Sequence, residues 1–103
     1  MTTFLVQRAA THRIDDIYLY SVEHWGKEVA DDYIQGLFLS FDGIANRTTV
    51  SRPIPAEFGV DGFFYRYRRH FVYWKYLSDK KVGIVTVLHE RMHQIDRFKE
   101  DFK

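Results

Sequence analysis

An α+β fold with the element order β-α-α-β-β-β is predicted by three features of this 103-residue chain. Residues 9–46 keep a helical period that breaks once, residues 63–77 are dense in aromatic strand formers, and residues 82–89 are almost wholly apolar. Together they describe an antiparallel sheet with an N-terminal helical hairpin packed on one face. The length suits a single domain, residues 1–103, with a real hydrophobic core.

The opening segment at 2–7, containing "TFLVQ", reads as a short strand because β-branched and aromatic residues precede a polar turn. From Ala9 the period becomes helical. Ile14, Ile17, Tyr18, Ser21 and Trp25 fall at i, i+3, i+4, i+7 and i+11, one stripe of an amphipathic helix that ends near Gly26. Trp25 is expected to pack at that helix end and close the hairpin. Ala30, Tyr33, Ile34, Leu37, Phe38, Phe41, Ile44 and Ala45 carry a second helix to about Asn46. So short a break makes the pair antiparallel.

"RTTVSRPIPAEFGVDG" (47–62) holds both prolines and no period, so it is predicted as a loop. "FFYRYRRHFVYWKYL" (63–77) is too long for one ordinary strand and splits near Arg69 into two that can pair. "SDKK" (78–81) is a turn. "VGIVTVLH" (82–89) is the last strand and, being apolar on both faces, a central one. From Glu90 the chain is polar, with a short helix expected.

Composition narrows the class. Apolar residues are 46% of the chain and aromatic residues 17%, which excludes a disordered chain. The absence of cysteine excludes a disulfide scaffold and a thiolate metal site, and favours a reducing compartment. "MTTFLVQRAA" does not read as a signal peptide, and no apolar run nears the roughly 20 residues of a membrane span. A soluble, cytoplasmic protein is expected. Its net charge of +1 is unevenly spread. Residues 1–46 hold three basic and seven acidic side chains, whereas residues 47–75 hold six basic and two acidic ones. An acidic first half and a basic middle suit two surfaces of opposite preference.

The stretch "HERMH" (89–93) matches the H-E-x-x-H pattern by which zinc proteases set two histidines on one helical face, with a glutamate to activate water. The setting is wrong for it. His89 ends a β-branched run of strand length, so His89 and His93 stand in no fixed relation. Downstream only Asp96, Glu100 and Asp101 could complete a three-ligand site. A chance match is the better reading.

A different resemblance covers nearly the whole chain. "TVLHERMH" (86–93) resembles the closing "iLH-x-RMD" of ParE toxins, the toxic half of bacterial toxin–antitoxin modules in the RelE/ParE superfamily. "RAATHRIDDIYLYSVEHWGKEVADDYIQGLFLSFDGIA" (8–45) is similar to that family's first hairpin, with its "D-I-x-x-Y" helix, "W-G" break and "A-x-x-Y-I-x-x-L" helix. "RHFVYWKYL" (69–77) resembles its "x-H-x-I-F-Y-R" strand, with His70, Val72 and Tyr73 in register. The chain departs where His93 replaces the usual Asp, and where Phe63 replaces an arginine the family often places before the strand histidine. The tail past Met92 adds Phe98 and Phe102.

The resemblance implies a toxin that binds DNA gyrase and is neutralised by a ParD-like antitoxin, in a hetero-oligomer with no cofactor and no membrane. Arg66, Arg68, His89, Arg91 and His93 are the residues expected to engage the target. Ile14, Ile17, Tyr18, Tyr73 and Lys75 are those expected to meet the antitoxin. The RelE branch of the superfamily instead cleaves ribosome-bound mRNA. Metal-free cleavage needs an acid, a base and cations, for which Arg66, Arg68, His70, Lys75, His89, Arg91 and His93 are candidates. Against it stand the small net charge, since RNA phosphate is held by Lys and Arg, and the plainer readings of His70 and His89 as hydrogen-bonded structural histidines. Tyr65, Tyr67, Tyr73 and Trp74 could stack on bases, but in a small sheet such rings are more often core. A member that retains only antitoxin binding is a third possibility.

Purified protein is expected to carry no stoichiometric zinc. One zinc per chain by elemental analysis, lost in His93→Ala, would restore the protease reading of HERMH.

Overall fold

In the computed structural model, residues 4–78, 80–91, 94, 96 and 97 are described. The elements are β1 (Phe4–Val6), α1 (Arg8–Trp25), α2 (Lys27–Ala45), β2 (Arg52–Pro53), β3 (Phe63–Tyr67), β4 (His70–Tyr76) and β5 (Val82–His89). All five strands join one sheet in the order β1-β5-β4-β3-β2. No helix among the described residues is long and apolar enough to cross a membrane. The expected short helix after Glu90 falls mostly outside the described residues.

The α+β class and the helical hairpin are as expected, with two corrections. The sheet is mixed rather than wholly antiparallel. β1 runs parallel to β5, with Phe4 opposite Val82 and Val6 opposite Ile84, while the other pairings are antiparallel. β1 passes straight into α1 through Gln7, and α1 lies against β5. The helix therefore sets the direction of β1, where a two-residue turn sets that of β3 and β4. The second correction is in the predicted loop, which contains β2 and a 3₁₀ turn at Ala56–Phe58. A two-residue strand with a proline has no period to read, and Pro53 is tolerated because β2 is an edge.

The two helices meet at one residue. Gly26 has φ 88°, a left-handed conformation that glycine adopts without penalty. Its N–H bonds the Val22 carbonyl and its own carbonyl takes the Ala30 N–H, so it ends α1 and starts α2. A polar latch holds the hairpin: Asp31 accepts hydrogen bonds from Tyr18 Oη and Lys27 Nζ, both at 2.7 Å. Those two donors hold the Asp31 carboxyl below its ordinary pKa. Trp25, expected to pack at the helix end, is 58% exposed and touches Tyr20 and His24 instead. With Gly26 making the turn alone, no pocket is left for the indole.

The sheet separates two apolar layers. On the helix side, Ala10, Ile14, Leu37, Phe41 and Ile44 pack on Tyr65, Val72, Trp74, Val82, Ile84 and Val87. On the far side, Ile54 and Phe58 of the 47–62 segment cover Tyr73 and Leu88. A bulge decides which residues of β5 face which layer. Tyr73 pairs with Thr86 but Trp74 with Ile84, so Val85 is extra. Ile84 and Val87 then share the helix side although they are three positions apart, and His89 follows Val87 onto that side.

Gly36 on α2 admits the Tyr67 ring. A Cβ there would lie 2.1 Å from Tyr67 Oη and 3.2 Å from Cζ. Gly36→Ala is expected to destabilise the fold by about 1–3 kcal/mol through overpacking. Tyr67→Phe added to it should recover part of that loss, because the closest clash is with the hydroxyl. Urea denaturation of both variants checks this, and a double variant weaker than the sum of the two single losses would refute it.

Candidate functional site

The bulge and the β3–β4 turn build a charged, aromatic cluster at one end of the sheet. Tyr67 pairs with His70, so the strands turn within Arg68 and Arg69. Two-residue hairpins need positive φ, which glycine or asparagine usually supplies; here Arg68 does, at φ 51°. Such a backbone costs about 1–3 kcal/mol unless its surroundings hold it. The guanidinium lies 5.3 Å from the centre of the Tyr33 ring and 5.4 Å from that of Tyr67. Asp32, one residue before Tyr33 on α2, approaches it at 3.8 Å. Cation–π and charge contacts of this kind return about 0.5–1 kcal/mol each at exposed sites.

His70 opens β4 and is 8% exposed. Its Nδ1 lies 2.6 Å from Tyr33 Oη, and its ring meets that of His89 edge-on at 5.0 Å between centres. Burial is the main reason its pKa falls to about 4, with the charge of His89 adding to the fall and Glu90 opposing it. At neutral pH the ring is uncharged, and its Nδ1 shares a hydrogen bond with the Tyr33 phenol. Burial raises the pKa of Tyr33 and Tyr67 in turn, and Tyr67 Oη donates to the Tyr33 carbonyl at 3.0 Å. Both phenols thus stay protonated at neutral pH.

On the far face Arg66 forms an ion pair with Glu90, donates through Nε to the Arg68 carbonyl at 2.8 Å, and lies 6.0 Å from the centre of the Phe71 ring. Beyond β5, the Glu90 N–H bonds the Arg69 carbonyl and the Arg91 N–H bonds His89 Nδ1 at 3.0 Å. Glu90 and Asp32 therefore answer two of the four arginines at this end. The side chains of Arg69 and Arg91 are exposed and have no carboxylate partner among the described residues. Among the described residues this end of the sheet is cationic, with two arginines that no carboxylate neutralises.

The structure gathers Arg66, Arg68, His89 and Arg91 here, on two faces of one sheet end; His93 lies outside the described residues. The other predicted group does not form one surface. Ile14 is 7% exposed and belongs to the core, Ile17 packs beside it, and Tyr18 is engaged by Asp31. Tyr73, 2% exposed, is on the far side of the sheet under Phe58 and bonds Gln94 Oε1. Lys75 shares that side by strand alternation, half-buried. Burial leaves Ile14 and Tyr73 little to offer a partner.

Tyr33, Asp32 and Arg69 were missed by sequence reasoning. The helical period marks Tyr33 as inward-facing, but nothing local says that its hydroxyl meets a strand histidine 37 residues on. Arg69 was legible as the third cation of "RYRR", where strand alternation fails at the turn. Among the described residues no group of three or more His, Cys, Asp or Glu could hold a metal ion.

Comparison with known proteins agrees in sequence and in fold. Residues 4–94 match the family described as the ParE toxin of the type II toxin–antitoxin system parDE. Toxin ParE1 of Caulobacter vibrioides is 30% identical over 98 residues, spanning 90% of this chain and 94% of that one. The chromosomal ParDE system of P. aeruginosa contains a chain that superposes with a TM-score of 0.69 at 17% identity, covering 86% of this chain and 96% of that one. At that identity the likeness speaks for the fold.

His70 predicts a pH dependence. Its folded pKa of about 4 is below the unfolded 6.5, so the unfolded chain binds the proton first. Its contribution is complete above about pH 6.5 and is lost as pH falls towards 4, by on the order of 2–3 kcal/mol. Urea unfolding at pH 7.5 and pH 5 should show this loss in the wild type and a smaller one in His70→Gln. Equal losses in both would assign the effect to other groups.

Proposed function

We propose that this chain, which belongs to the ParE toxin family of type II toxin–antitoxin systems, arrests growth by binding DNA gyrase and is neutralised by a ParD-like antitoxin. The observation that carries the reading is the cationic sheet end, where Arg69 and Arg91, without a carboxylate partner among the described residues, stand beside the paired Arg66 and Arg68. Such a surface suits an acidic protein face or DNA phosphate, and its attraction weakens as salt rises. The state of His70 favours binding over catalysis. It is buried, uncharged at neutral pH and committed through Nδ1 to Tyr33, which makes it a support for the turn.

For the antitoxin we propose a segment laid along α1 and the open edge of the sheet. β1 is an edge strand with Leu5 exposed, and the outer side of α1 exposes Leu19 and Tyr20. An unpaired edge accepts an added strand, and exposed apolar side chains accept an amphipathic helix. Of the residues expected from sequence, Ile17 and Tyr18 on α1 are half-buried, Ile17 against the core and Tyr18 against α2. The acidic balance of residues 1–46 favours a basic partner segment.

The RelE-like reading, ribosome-dependent mRNA cleavage, draws on one observation, the juxtaposition of Tyr33, His70 and His89. Two assays separate the readings. The purified chain is expected to block gyrase supercoiling and leave ribosome-bound mRNA intact. Arg69→Glu with Arg91→Glu should lower gyrase inhibition at least tenfold while the chain still folds and binds antitoxin. Codon-dependent cleavage abolished by His89→Ala would move the protein to the nuclease branch, and full gyrase inhibition by the double variant would put the working surface elsewhere.

A further inference from the structure

Three described residues other than glycine have positive φ: Arg47, Arg68 and Lys80. All three are cations at turns where glycine would be unstrained. Arg68 belongs to the site above. Arg47 and Lys80 share a different place, at the opposite end of the sheet. Arg47 follows the last turn of α2, where its N–H bonds the Ile44 carbonyl. Lys80 is in the β4–β5 turn and bonds the Leu77 carbonyl.

Between them is a cleft of about 560 Å³ lined by Arg47, Tyr76 and Lys80. It is a shallow depression, open to solvent. Tyr76 is 48% exposed, and Trp74 and Phe63 hold its ring edge-on from the core side, at 5.2 and 6.0 Å between centres. Neither Arg47 nor Lys80 has a carboxylate partner among the described residues. Two cations without a carboxylate partner among the described residues, beside a supported, exposed ring, make a constellation for one kind of ligand. Phosphate takes the cations, and a flat base stacks on the ring.

We propose that the Arg47–Tyr76–Lys80 cleft binds a nucleotide unit, its phosphate between Arg47 and Lys80 and its base against Tyr76. The ligand is a free nucleotide or one residue of a single strand. This site is separate from the sheet end described above. β4 runs from His70 to Tyr76, which at roughly 3.3 Å per residue puts the two ends about 20 Å apart.

Fluorescence anisotropy of the full chain with a labelled oligothymidine of about 12 nucleotides, a length that single-strand sites accommodate, tests the proposal at low salt. Wild type should bind, and more weakly as salt rises. Arg47→Glu with Lys80→Glu should lose at least about tenfold, the effect of losing charge-assisted contacts. Tyr76→Ala should lose roughly tenfold and Tyr76→Phe little, because stacking needs the ring and not the hydroxyl. Thermal melting of each variant at the wild-type temperature certifies the fold. Displacement by thymidine monophosphate would identify a free nucleotide as sufficient, and displacement by unlabelled strand alone would identify the polymer. Three results overturn the proposal: no binding by wild type, displacement by inorganic phosphate as readily as by thymidine monophosphate, or binding lost in Arg69→Glu/Arg91→Glu and kept in the cleft variants.

Discussion

Strand β5 is buried along seven consecutive residues, Val82 to Leu88, and both apolar layers of the molecule meet through it. It pairs with β4 on one side and β1 on the other, and α1 lies across its face. Fully burying one such aliphatic side chain is worth about 1.5–3 kcal/mol, so this one strand carries a large share of the driving force. Its bulge at Val85 is the geometric device that lets an apolar run serve two layers. If alternation ran unbroken from Ile84, His89 would fall on the far face, away from the His70 ring that it now meets edge-on. Core packing and site geometry are thus consequences of one inserted residue.

The charged end of the sheet is organised by neutralisation. Arg68 is placed by a strained turn and held by two tyrosine rings and Asp32, and Arg66 is held by Glu90 and the Arg68 carbonyl. These two arginines rigidify the hairpin. Arg69 and Arg91, exposed and without a carboxylate partner among the described residues, present charge from a fixed base. Rigid, preorganised charge loses less entropy on binding than charge on a mobile loop. The buried His70–Tyr33 contact ties the turn to α2, so the helical layer and the strand end move as one body.

Much of this was legible in the sequence. The period of residues 9–46 gave both helices and the tight break at Gly26, and the density of apolar residues at 82–89 gave a central strand. The turn near Arg69 was legible because fifteen strand-like residues exceed one strand. The family was legible from motifs in order along the chain. The parallel sense of β1 was not, since it follows from tertiary docking of α1 and not from any turn signal. β2 was hidden by its length and its proline. Among site residues, the cations near the β3–β4 turn were read correctly as neighbours of His89. Their ion pairs were not, because Asp32 and Tyr33 reach them from an element distant in sequence. Ile14 and Tyr73, expected to meet an antitoxin, are buried in the two apolar layers, as their apolar and aromatic character dictates.

The pairing of Phe4 with Val82 has a consequence for when the molecule can act. A ribosome adding about 5–20 residues per second needs several seconds to pass from β1 to β5. Throughout that interval the helical hairpin exists with its apolar face uncovered. Long-range closure of this kind is slow in its own right, and no partial sheet can stand in for the missing central strand. His89, Glu90 and Arg91 are made immediately after the residues that complete the core. A message broken anywhere upstream of β5 therefore yields a chain that lacks the strand through which both apolar layers meet.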